Sequence, residues 1–64
     1  MARNQRLAAA LVRKGLTPGQ LAAQIGHNPK TVERWVSGGQ VPYPRSREML
    51  AHVLDSPVAL LFPE

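Results

Sequence analysis

Two helix-start signals stand close together near the middle of the chain, with a glycine between them. The first is Thr17-Pro18-Gly19-Gln20. Thr17 offers a hydroxyl to the amides of a first turn, and Pro18 suits the first helical position, where no N–H is needed. Gln20 stands three residues after Thr17, as in a capping box. The second signal is Asn28-Pro29, again a capping side chain followed by proline. Gly26 separates them and suits a turn with positive φ. Further breakers follow: Gly15, Ser37-Gly38-Gly39, Pro42-Tyr43-Pro44 and Ser56-Pro57. The chain must therefore fold as short pieces. Alternation is absent and β-branched residues are scattered, so these pieces are not strands.

Apolar spacing fixes what the pieces are. Residues 4–14 are rich in Ala, Leu and Arg, with Leu7, Ala8, Ala10 and Leu11 along one stripe. Arg13 and Lys14 fall in the last turn, and Gly15 caps it. Leu21, Ala22 and Ile25 give the second helix its buried face, and Gly26 ends it. Val32, Trp35 and Val36 form the inward stripe of the third. Residues 40–44 read as a loop. A fourth helix spans residues 45–54, with Met49, Leu50, Val53 and Leu54 inward. Ser56-Pro57 opens a last helical turn, with Val58, Leu60, Leu61 and Phe62 as core or interface residues. The expected fold class is all-α, a compact bundle of five short helices.

Length and charge exclude much of the functional range. With 64 residues the chain is read as one domain over its whole length. A domain this small buries only about 60% of the surface its unfolded chain exposes, which leaves no room for a deep substrate cavity. There is no cysteine, hence no disulfide and no thiolate metal site. No apolar run approaches the ~20 residues of a membrane span. The charged start, Met1 to Arg6, has no hydrophobic stretch behind it, so no secretory peptide is read. The net charge is +4 and unevenly placed. Arg3, Arg6, Arg13, Lys14 and Lys30 precede every acid; Glu33, Glu48, Asp55 and Glu64 all come later. A basic half favours a polyanionic partner.

The join between the second and third helices combines an apolar helix, a short turn with glycine, and a separately capped helix. That is the layout of a helix-turn-helix unit, whose second helix reads the DNA major groove. Leu21-Ala22-Ala23-Gln24-Ile25-Gly26, Lys30-Thr31-Val32-Glu33-Arg34-Trp35 and Gly38 resemble the phage-repressor and Cro family, the Xre-type bacterial regulators. The resemblance runs from Leu7 to Leu61 and implies a lambda-repressor-like DNA-binding domain. It puts base reading at Pro29, Lys30 and Arg34, with Glu33 beside them. Lys30 and Arg34 are four apart and share a helix face. Arg34 suits a bidentate contact to guanine and Lys30 a second base or phosphate contact. Phosphate contacts are implied at Thr17, Gln20, Asn28 and Thr31, and along the loop at Gln40 and Tyr43.

Three features depart from the family: Pro29, the pair Leu11 and Val36, and the loop from Gly39 to Pro44, which is longer and less basic than in familiar repressors. Pro29 stands where well-known members carry a polar base reader, and offers only an apolar contact. Leu11 and Val36 stand where several members bury an Arg–Glu pair, a swap that is physically reasonable because buried ion pairs stabilise little.

Bland readings stand beside these. Trp35 is a core residue or, less in keeping with its spacing, a stacking platform. His27 and His52 lack the company of a metal site, so no metal and no cofactor is expected. Arg3, Arg6, Arg45 and Arg47 either solvate the surface or touch phosphate. Tyr43 is a packing lid on the third helix or a phosphate donor. No serine has a base at suggestive spacing, so no enzyme is read.

The expected function is sequence-specific double-stranded DNA binding by a cytoplasmic, nucleoid-associated transcriptional regulator acting as a homodimer, with no membrane or small-molecule partner. Ending at Pro63-Glu64, the chain suits the N-terminal domain of a longer regulator. A protein-interaction module of the antitoxin or adaptor kind is the alternative, motivated by the apolar stretch from Val58 to Phe62. RNA binding lacks an exposed aromatic or glycine-loop signature.

Overall fold

The structure, a computed structural model, describes residues 3–63. Met1, Ala2 and Glu64 lie outside the described residues, and with them the ends of the chain on which the leader and longer-regulator readings rest. Five helices follow one another: α1 (Gln5–Lys14), α2 (Pro18–Ile25), α3 (Pro29–Ser37), α4 (Pro44–Leu54) and α5 (Val58–Leu61). Among the described residues there is no strand.

Each helix begins and ends for a local chemical reason. Asn4 caps α1, its side chain accepting from the Leu7 N–H at 2.9 Å. Thr17 and Gln20 form a reciprocal capping box at α2. Asn28 caps α3 by accepting from the Lys30 N–H at 2.8 Å. Gly15 and Gly26 close α1 and α2 in the left-handed conformation. α4 differs from its expected bounds. It starts at Pro44, which the sequence reading assigned to the preceding loop. Proline's fixed φ suits it to the first helical position, so the helix takes it in. α4 ends at Asp55, a non-glycine residue with φ 53° that provides the left-handed cap.

The apolar stripes meet in one core. It contains Leu7, Ala10 and Leu11 from α1; Leu21, Ala22 and Ile25 from α2; and Val32, Trp35 and Val36 from α3. Leu50 and Leu54 from α4, Leu61 from α5 and Phe62 complete it. Ala8, Met49, Val53 and Val58 are only half-buried and pack around its edge. Leu60 turns out to solvent, so of the last apolar stretch only Leu61 and Phe62 are core. The radius of gyration is 10.1 Å. A compact folded chain of this length is expected at about 11 Å, so the five helices form one body.

Polar ties hold the ends of the chain to this body. The Asn4 N–H donates to the Val36 carbonyl at 2.8 Å, and Asn4 Nδ2 donates to the Leu61 carbonyl at 2.9 Å. Arg13 Nη2 donates to Ser56 Oγ at 2.8 Å, and Ser56 in turn donates to the Leu54 carbonyl. α1 is thereby fixed to α3 at one end and to the α4–α5 junction at the other. No helix among the described residues is long and apolar enough to cross a membrane.

Candidate nucleic-acid interface

α2 and α3 make the most extensive helix pair in the molecule. Three residues join them: Gly26, His27 and Asn28. Gly26 has φ +72°, which lets the chain reverse without a Cβ penalty. Ala22 on α2 is fully buried, and Trp35 on α3 is 4% exposed. Trp35 is therefore core, and no stacking platform.

Burying Val32, Trp35 and Val36 decides which face of α3 remains outside. Pro29, Lys30, Glu33 and Arg34 are exposed, and Thr31 is half-buried. The four exposed residues belong to the first two turns of one helix. An α-helix with its side chains is about 10–12 Å across, which matches the ~12 Å width of a DNA major groove. The face carries two cations and one acid, and Pro29 adds an apolar surface.

The side chains expected at phosphate are partly occupied as caps. The Gln20 N–H donates to Thr17 Oγ1 at 3.1 Å, and the Thr17 N–H donates to Gln20 Oε1 at 2.9 Å. This leaves the Thr17 hydroxyl proton and the Gln20 amide N–H groups as available donors. Asn28 likewise spends its side-chain oxygen on Lys30 N–H and keeps its amide N–H groups. All three can cap and still donate to an anion. Gln40 is exposed in the loop between α3 and α4. Tyr43 is 85% exposed, which removes its reading as a packing lid. Pro42 is the loop residue that turns inward instead.

The arginines divide into separate groups. Arg13 spends one N–H group on Ser56 and is otherwise exposed, keeping its charge and its remaining donors. Arg3, Arg6 and Arg47 line an open cleft of roughly 1240 Å³ with Val41, Val58 and Phe62. That cleft gathers charge from two chain segments far apart in sequence, the start of the chain and α4, which no local pattern announces. Among the described residues, no three of the His, Asp and Glu side chains come together as a metal site.

His27 was expected to be a surface or internally satisfied residue, and it is the latter. Its ring is half-buried and bonded on both nitrogens, to Ile25 and Ser46. No family model, curated protein or solved structure matches the chain.

Proposed function

We propose that the chain is a sequence-specific double-stranded DNA-binding domain of a transcriptional regulator. α2 and α3 then act as a helix-turn-helix unit, with α3 in the major groove. The observation that carries this reading is the division of α3 into two faces. Its apolar side is spent on the core, and its other side offers Lys30 and Arg34 on one exposed strip. Arg34 reads guanine through its forked donors, Lys30 reads a neighbouring base or phosphate, and Pro29 meets a thymine methyl. Glu33 sits among them as an acceptor for a cytosine amine. Thr17, Gln20, Asn28, Thr31, Gln40 and Tyr43 supply donors to the flanking phosphates, which set register without reading sequence. One such domain covers one half-site, so two copies act as a homodimer on a two-fold operator. The protein works where the chromosome lies, in the cytoplasm, without cofactor or catalysis.

The test is selection of bound duplexes from a random pool, followed by titration at several salt concentrations. Site-specific affinity should fall steeply as salt rises, because phosphate contacts release counterions. Failure to bind any duplex at low salt would sink the reading.

The open cleft favours a second reading, a protein-interaction module. Its apolar residues Val41, Val58 and Phe62 are rimmed by arginines, a combination suited to a protein surface. Amide shift mapping separates the two. DNA moves the resonances of α2 and α3, whereas a partner protein moves those of Val41 and α5.

A further inference from the structure

His27 stands alone between the Gly26 cap of α2 and the Asn28 cap of α3. Its backbone N–H donates to the Ala22 carbonyl at 2.9 Å. Its ring meets three different helices or helix ends. Nδ1 lies 3.1 Å from the Ile25 carbonyl oxygen at the end of α2. Nε2 lies 3.3 Å from Ser46 Oγ on α4. The ring centroid is 5.4 Å from that of Trp35 on α3, with the planes tilted by 60°. A carbonyl can only accept, so Nδ1 carries the hydrogen. In the neutral ring Nε2 then holds the lone pair, and the Ser46 hydroxyl donates to it. The tilted arrangement on Trp35 is a favoured aromatic geometry.

These contacts bear on how α3 is held. Its C-terminal end is tied by the Asn4 N–H to the Val36 carbonyl. Its middle is held by Val32 and Trp35, through apolar contact that has no direction of its own. At its N-terminal end, the His27–Ser46 bond is the side-chain hydrogen bond that links the turn to α4. A reading surface must be held to within about 0.5 Å to discriminate between partners. Lys30 and Arg34 start directly after this turn, so their placement follows its position.

We propose that His27 is a positioning residue for DNA reading: as the Nδ1–H tautomer it clasps Ile25, Ser46 and Trp35 together and fixes the pitch of α3 against α4. The consequence for DNA rests on the function proposed above, whereas the clasp is a property of the free protein.

Two sets of measurements test it. In the free protein at pH 8, side-chain ¹⁵N shifts should identify the Nδ1–H tautomer of His27. Residual dipolar couplings should show α3 reoriented relative to α4 in His27→Ala and in Ser46→Ala. On DNA, the probe is a duplex selected from a random pool by the wild-type protein, compared with a scrambled duplex. His27→Ala should lose about 5–20-fold on the selected duplex and under about twofold on the scrambled one, the scale of lost hydrogen bonds. The double variant with Ser46→Ala should lose no more than His27→Ala alone, because both changes open the same clasp. His27→Asn, whose amide donates from the position of Nδ1, should recover part of the loss. Ser46→Ala leaves the Trp35 contact intact and decides the matter if His27→Ala does not fold. An Nε2–H tautomer, unchanged couplings in the variants, or equal losses on both duplexes would overturn the proposal. If the wild type binds no duplex at all, the DNA reading fails, and the tautomer and couplings still decide the clasp.

Discussion

At Gly38 a side chain would have almost no room. An added Cβ would lie 3.0 Å from the Arg34 carbonyl oxygen and 3.5 Å from its Cα. That same oxygen accepts from the Gly38 N–H at 3.0 Å and the Gln40 N–H at 3.2 Å. The φ of Gly38 is an ordinary −94°, so the demand is for space and not for a special dihedral. Gly38→Ala must therefore move the backbone of Arg34 by a few tenths of an ångström. We predict weaker binding to the selected duplex in fluorescence anisotropy, with the protein still folded by circular dichroism. Gly26 is the opposite case, with open space around the Cβ position but φ +72°. Gly26→Ala should cost about 1–2 kcal/mol of stability from the left-handed backbone alone, read as a lower melting temperature. Arg34 itself is exposed, so Arg34→Ala should change stability by no more than about 0.5 kcal/mol. On DNA it should cost about 1–3 kcal/mol, concentrated at one base position, measured by competition among single-base variants of the duplex.

Among the helices, α1 and α2 separate local caps from caps that also join distant segments. Thr17 serves only the first turn of α2, through its exchange with Gln20. Thr17→Ala should cost about 1 kcal/mol in urea unfolding. Asn4 caps α1 through the Leu7 N–H and also donates to the Leu61 carbonyl. Asn4→Ala loses both and should cost about 2 kcal/mol or more. Asn4→Asp keeps an acceptor for the cap but sets a carboxylate against a carbonyl, so it should lie between the wild type and Asn4→Ala. A finding that Thr17→Ala is the more damaging would contradict this ordering. The starts at Thr17 and Asn28 were legible in the sequence because cap and amide are two or three residues apart. The start of α4 at Pro44 was less so. Tyr43 precedes it without a side-chain cap, and two prolines flank Tyr43, either of which could open a helix. The end at Asp55 was not legible as a cap, because a left-handed aspartate carries no signal comparable to glycine.

The whole molecule depends on a single core. In a domain of this size such a core rarely supplies more than about 3–5 kcal/mol of net stability. Leu50 is fully buried where α4 meets it. Leu50→Ala should cost about 2–5 kcal/mol, enough to leave much of the protein unfolded at equilibrium, which loss of the helical circular-dichroism signal would show. Half-buried Met49 on the same helix should tolerate alanine far better. Charge also acts at this scale. Arg13 faces Ser56, and Arg3, Arg6 and Arg47 gather at the cleft. The basic half of the sequence is thus dispersed over the folded surface, and the α3 face holds only Lys30 and Arg34 from the eight cations of the chain.

The sequence by itself determined the helices and most of their limits. Caps act over two to four residues, and apolar spacing repeats with the helical turn, so both are written locally. It also determined which side of α3 faces inward, since Val32, Trp35 and Val36 can be buried together only on one face. Tertiary structure alone decided the directional bonds between distant segments: Asn4 with Val36 and Leu61, Arg13 with Ser56, and His27 with Ser46. Such bonds need donor and acceptor within about 3 Å and suitably aligned. Whether two side chains far apart in the chain meet that condition depends on how the helices cross. The crossing is set by the packed core as a whole, and no short stretch of sequence encodes it.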